Sequence, residues 1–411
     1  MDLILRNGRV LRGAETSGLV DVGIDGGRIV AIERGLAASG RQLDLDGRLI
    51  TPSLVETHVH LDKSCILDRC KAQTGTLDEA IREVAGLKAA FTADDVHARA
   101  SRTLERSIAH GVGFMRTHVE VDPVIGLRGL DGVLPLVDEY RWAIDLEICA
   151  FPQEGLLNNP GTEELLIAAL ERGAKVVGAA PYTDTNPQGQ IDRVFAIARD
   201  FDVDVDMHLD FFSTAERMDI DYVCEATERF DYGGRVTVGH MTTLSVIEPQ
   251  RFDAIARRLA NVGIAVTVLP STDLYLNGRH QSHSVLRGVT PAHKLLRLGV
   301  NCSVSTNNVL NPFTPFGDGS LLRVANLYAN VCQVGTRDDL RACFALVSRH
   351  AADVMRLRDY GVAPGTSADL VVWDATAPEQ AIAEIAPPLY GFKRGRMTFS
   401  REPVKLHPPA R

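Results

Sequence analysis

Thr51-Pro-Ser-Leu-Val-Glu-Thr-His-Val-His-Leu-Asp-Lys63 places His58 and His60 two residues apart inside an otherwise apolar run. In an extended strand residues i and i+2 project from the same face. Two imidazoles side by side at the end of one strand form a natural grip for a single metal ion. A lone histidine near a strand end is usually a hydrogen-bonded structural residue. For two on one face the balance reverses, because burying both without a metal or partner gains nothing.

Outward from this run, seven more apolar runs follow, each separated by stretches of helical periodicity. They are Gly113–Val121, Asp145–Phe151, Lys175–Ala180, Asp204–Leu209, Arg235–His240, Gly263–Leu269 and Gly299–Val304. After the second run they recur roughly every 30 residues, the size of one βα unit. Eight such units predict an α/β fold, a (β/α)8 TIM barrel over residues 53–358, and not an open doubly wound sheet. The two ends read differently. Residues 1–52 and 359–411 carry short β segments broken by Asn7-Gly8, Asp25-Gly-Gly27 and Asp46-Gly47. They predict one small composite β-sandwich domain assembled from both termini.

Barrel chemistry sits at the C-terminal ends of the strands. The polar residues of this chain concentrate there: His58 and His60, His118 and Glu120, Gln153 and Glu154, His208 and Asp210, His240, and Asn307 and Asn308. His208 supplies a third nitrogen to the first pair, leaving open positions for water and substrate. One divalent ion held so would acidify a bound water and polarise the bond under attack. His240, one strand further round, is the first candidate for a base. Asp210, on the face of His208 by the period-two rule, ranks second and Glu120 third. Asp273 follows the seventh strand. Lys63 is divided between bracing the loop with Asp62 and contacting substrate. Phe211, Phe212 and Phe313 suggest an aromatic wall.

The totals exclude other classes. With 44 basic against 53 acidic residues the net charge is -9, and no Lys/Arg block stands out. That argues against nucleic acid and anionic membrane surfaces and leaves a small molecule as the partner. No apolar run reaches the 18 or so residues of a membrane span, and Met1–Arg9 carries charges where a signal peptide needs an apolar core. Seven unpatterned cysteines read as reduced thiols. The expected location is cytoplasmic.

The chain resembles the amidohydrolase superfamily, specifically its cytosine deaminase-like branch. The residues that carry the resemblance are Thr57-His-Val-His-Leu-Asp-Lys63, Arg116-Thr-His-Val119, Ala150-Phe-Pro-Gln-Glu-Gly155, His208-Leu-Asp210, Gly239-His-Met-Thr-Thr243 and Val309-Leu-Asn-Pro-Phe313. The resemblance implies that His58, His60 and His208 bind one metal ion, zinc or iron. It also implies that Gln153 contacts the amide-like edge of the substrate and that His240 activates water or stabilises a tetrahedral intermediate. Related enzymes tend to be homo-oligomers, and the same is expected here by analogy.

Two departures stand out. Asn307 occupies the place of the family's metal-binding, proton-shuttling aspartate, and Asn308 that of a second aspartate. Phe211 stands where cytosine deaminase has a glutamate. A carboxamide offers an oxygen to a metal but no charge, and it accepts no proton near neutrality. The expected activity is therefore a metal-dependent hydrolase of a C–N bond in a small, fairly apolar compound, N-heterocycles included, with cytosine itself disfavoured. An amide or carbamate hydrolase using the same site is one alternative. A catalytically silent ligand-binding protein on the same fold is another. Catalytic roles are expected for His240, Asp210 and Asn307, and substrate contacts for Gln153, Asn308, Phe211, Phe313 and Lys63.

Overall fold

The computed structural model describes residues 1–407 apart from 14, 38 and 403. Two sheets organise the chain. The first is built from both ends. It holds β1 (Leu3–Arg12), β2 (Glu15–Asp25), β3 (Arg28–Glu33), β4 (Arg41–Asp44) and β5 (Leu49–Pro52) from the N-terminal end. The second sheet then runs through β6 (Leu54–Val59), β7 (Val112–Glu120), β8 (Asp145–Phe151), β9 (Val176–Ala179), β10 (Asp204–Leu209), β11 (Val236–His240), β12 (Ile264–Val268) and β13 (Cys302–Val304). The chain returns to the first sheet with β14 (Leu370–Trp373), β15 (Pro388–Lys393) and β16 (Arg396–Ser400).

In the second sheet every pairing is parallel and follows chain order from β6 to β13. That is the order of a TIM barrel, in which each crossover helix returns the chain to the same end. The strands are buried along nearly their whole length, which explains their continuous apolar runs. Closure between β13 and β6 is made by backbone beyond the last strand. Asn307 N–H donates to His58 O at 2.9 Å, and His60 N–H donates to Asn307 O at 2.8 Å. Asn307 is thus held in register between the two histidines of the opening motif.

The terminal sheet is antiparallel where β14 pairs with β5 and with β15, and it carries its own apolar core around Leu5, Val22, Ile50, Leu370 and Phe392. Lys393 fastens it to the N-terminal floor of the barrel. Its ammonium donates to Gly113 O and Asp369 Oδ2, both at 3.1 Å, and lies 2.7 Å from Asp145. Among the described residues no helix is long and apolar enough to cross a membrane.

Candidate metal centre

At the C-terminal end of the barrel three imidazoles meet. His58 and His60 leave β6, His208 comes from the end of β10, and all three are buried. His208 Nε2 lies 3.1 Å from His58 Nε2 and 3.1 Å from His60 Nε2. Burial holds all three rings well below the usual imidazole range, and the neighbouring histidines push the same way, so the rings are neutral. A neutral ring nitrogen carries either one hydrogen or one lone pair. One Nε2 facing two others at hydrogen-bond distance therefore cannot satisfy both. A cation at the meeting point resolves the conflict. Two nitrogens each 2.0–2.1 Å from one zinc-sized ion stand about 2.9–3.4 Å apart for right-angled to tetrahedral arrangements, and the observed spacing falls inside that interval. Gly239 makes room for this cluster, because a Cβ there would meet the His58 ring at 3.3 Å.

Asn307 lines the same chamber as His60 and His208. It is buried, its backbone sits in the left-handed region at φ 63°, and its Oδ1 has no hydrogen-bond partner among the described residues. An orphaned buried acceptor beside three neutral nitrogens fits a cation, and the whole donor set carries no charge. A second group, His58, His118 and Asp206, also lies close together. It does not converge. The His58 and His118 rings stack at 3.7 Å and 22°, so their in-plane lone pairs run side by side. Asp206 instead pairs with Arg116 at 2.9 Å and lies 3.4 Å from His118 Nε2.

His240 faces the cluster from β11, its ring centroid 5.5 Å from that of His208. Its Nδ1 lies 2.6 Å from Asp273 Oδ1. Asp273 is fully buried, and although burial raises its carboxyl, His240 counters the shift as charge partner and hydrogen-bond donor. That contact places a hydrogen on Nδ1 and leaves the Nε2 lone pair free. Phe211 packs edge-on against the His240 ring at 4.8 Å.

The other expected residues divide. Lys63, Gln153, Asn308, Phe211 and Phe313 all line the same small chamber as His60, His208, His240 and Asn307, whose free volume is about 20 Å³. Phe212 is turned toward Tyr182 and Arg217 instead. Lys63 does not pair with Asp62. Its ammonium donates to Glu120 at 2.5 Å and to Gln153 Oε1 at 3.2 Å.

Asp210 does not share the face of His208 that the period-two rule predicts for it. The backbone turns left-handed there, at φ 47°, and the period-two rule ends with the strand. Its carboxylate accepts the Asp219 N–H at 2.7 Å and the Ile220 N–H at 3.3 Å, capping the helix Ile220–Phe230. It does not face the chamber. Glu120 is likewise spoken for. Burial alone would raise its carboxyl, but Lys63 and Lys88 hold it below the ordinary range. Lys88 also contacts Asp122 at 3.1 Å and Glu154, so an ammonium already fills the space among these three carboxylates.

Sequence reasoning missed Lys88, Asp206 and the pairing of His240 with Asp273. Asp206 was within reach, being two residues before His208 on one strand. Lys88 was not, because it arrives from a helix far from the motifs.

Comparison with known proteins gives a consistent result. The description of the Amidohydrolase family matches residues 137–399. N-isopropylammelide isopropyl amidohydrolase of Pseudomonas sp. (strain ADP) is 28% identical over 413 residues, covering 98% of each chain. The crystal structure of 5-methylcytosine deaminase from Klebsiella pneumoniae liganded with 5-fluorocytosine superposes with a TM-score of 0.94. It is 29% identical, and the match covers 99% of this chain and 100% of that one. N-isopropylammelide isopropylaminohydrolase from Burkholderia multivorans gives a TM-score of 0.85 at 27% identity, covering 97% of this chain and 98% of that one.

Proposed function

Because the chain belongs to the amidohydrolase family and is by class a hydrolase of carbon–nitrogen bonds, we propose that it releases ammonia or an amine from a small N-heterocycle, using one divalent ion. His58, His60 and His208 would hold that ion, zinc or iron, with Asn307 Oδ1 as a neutral fourth donor. The observation that carries the reading is the meeting of three neutral Nε2 atoms opposite a His240–Asp273 pair. When bound, the ion supplies Lewis acidity and makes water a stronger acid.

The residues of the chain supply the rest. His240 takes the proton of the attacking water on Nε2 and returns it to the departing nitrogen, while Asp273 holds Nδ1 protonated and steadies the charged ring. Asn307 cannot play this part, since a carboxamide accepts no proton near neutrality. Gln153 accepts from Lys63 through Oε1 and lines the chamber, where its amide N–H groups would donate to a ring nitrogen or oxygen of the substrate. Phe211 and Phe313 form flat apolar walls suited to a planar ring. Phe211 offers no proton to a pyrimidine nitrogen, which speaks against cytosine. The chamber as it stands holds about one water, so a ring enters only when its lining, Leu77 included, moves outward.

The test is a screen for released ammonia or amine across amino- and alkylamino-heterocycles, amides and carbamates, with metal content measured. Release from the heterocycles is expected, and His208→Ala should lose both metal and turnover. Stoichiometric metal with an undiminished rate in His208→Ala would sink the ligand set. Release confined to amides or carbamates would replace the substrate class.

A further inference from the structure

We infer that the chamber is built to hold an anionic oxygen of its substrate, placed between Asn307 and the ammonium of Lys63, which line it together. The inference rests on the proposed metal centre and substrate reading, and it narrows the substrate to small monoanions. Either an ionised ring oxo group or a carboxylate supplies the chemistry required.

The first observation is a charge count. Among the residues lining the chamber no carboxylate occurs, whereas Lys63 does. The donor set of three neutral imidazoles and one carboxamide leaves both positive charges of a divalent ion uncompensated. The second observation is hydrogen-bonding capacity. Lys63 has three N–H groups and is 2% exposed. One is taken by Glu120 at 2.5 Å and one by Gln153 at 3.2 Å, and no further protein acceptor lies within reach among the described residues. Its ammonium also sits 4.5 Å from the centre of the Phe313 ring, one of the chamber walls. A buried, unused N–H on a cation calls for an acceptor.

Carboxylates do stand behind the chamber wall. Glu120 accepts from Lys63 and Lys88, Asp62 accepts the Glu120 N–H at 2.9 Å, and Asp273 takes His240. Asp206 pairs with Arg116, Asp210 caps its helix, and Glu56 accepts the N–H groups of His58 and Thr306. None of them lines the chamber and each has at least one partner of its own, although one oxygen each of Asp62 and Asp206 makes no hydrogen bond among the described residues. Coulomb energy falls with distance, so the groups in contact with a ligand outweigh those one layer back. A substrate oxygen then supplies the negative charge that the carboxamide of Asn307 does not.

Calorimetric titration of the full-length protein, with and without one equivalent of zinc, tests this using matched pairs of probes. Barbiturate and cytosine represent ring compounds, and benzoate and benzamide represent the carboxylate and its neutral counterpart. With zinc present, at least one anion should bind tenfold or more tighter than its neutral counterpart, and the pair that shows the preference identifies the source of the oxygen. The preference should shrink several-fold in Lys63→Met and again in Asn307→Asp, which restores a negative charge at the metal. Equal or tighter binding of the neutral probes, no binding of either anion, or a preference unchanged in both variants would overturn the inference. Binding is read without turnover, so a failure to detect amine release leaves this result intact, and the reverse holds too.

Discussion

His240 Nδ1 lies 2.6 Å from Asp273 Oδ1, and both side chains are buried. The carboxylate comes from the helix Pro270–Leu276, immediately after β12, and the imidazole from the end of β11. Neighbouring strands thus deliver a paired imidazole and carboxylate to one side of the chamber, while position 307 after the eighth strand carries an amide. Asp273→Asn keeps the size of the side chain but can present an N–H to Nδ1. The ring then turns to its other tautomer and loses the free Nε2 lone pair. The expected loss in kcat is about 10²- to 10⁴-fold, with metal content unchanged. A rate within twofold of the unmodified protein would exclude His240 as the base.

Asn307→Asp should tighten zinc binding. The substitution leaves the backbone clamp to His58 and His60 untouched, since both hydrogen bonds there are main-chain. It replaces a neutral oxygen by a charged one beside a dication, and attraction at such short range in a buried site exceeds the small gain of a surface pair. An increase of about tenfold or more in affinity, roughly 1.4 kcal/mol, is expected in competition with a chromophoric chelator. Unchanged affinity would mean that residue 307 does not touch the ion. Amine release from neutral amino-heterocycles, which the added charge does not repel, should rise as well, because the new carboxylate can carry a proton.

The barrel was legible because its strands are buried on both faces. Such strands give continuous apolar runs such as Val236–His240. The convergence of His58, His60 and His208 was legible for a related reason, since barrel strands bring their C-terminal ends to one rim. What escaped lies where a local rule stops. Asp210 was assigned to the face of His208, but the backbone leaves the extended region at that residue and sends its carboxylate to a helix N-terminus. Lys88 carries no pattern of its own. Its burial among Glu120, Asp122 and Glu154 follows from where the helix Leu77–Lys88 packs, which is a tertiary fact.

Lys393 offers a control that separates fold from site. It joins the terminal sheet to the barrel floor, far from the metal end, with its ammonium 3.9 Å from the centre of the Phe114 ring. Lys393→Met would leave Asp369 buried without its ammonium partner. Breaking such a pair costs about 3–5 kcal/mol. The denaturant midpoint should fall while zinc stoichiometry and affinity stay as they are. A variant with altered metal binding at unchanged stability would contradict this division between floor and rim.

Glu79 ties down the segment just before Leu77, a residue that lines the chamber. Its carboxylate accepts the N–H groups of Gln73 at 2.9 Å and of Thr74 and Gly75 at 2.8 Å, together with the Thr74 hydroxyl at 2.9 Å. These bonds, the one from Gln73 foremost, draw its carboxyl down to about 2 from 4.5. A folded value below the unfolded one means that the ionised form is favoured by folding. The contribution is therefore complete above pH 4.5 and disappears as pH falls from 4.5 toward 2. Glu79→Gln removes that dependence and loosens a loop whose next residues, Leu77 among them, line the chamber. At neutral pH the amides of Gln73, Thr74 and Gly75 should exchange with solvent faster in the variant. The stability difference between the two proteins should narrow as the medium is brought from pH 6 to pH 2.5. A difference that stays constant across that interval would show that the carboxylate is not what orders the loop.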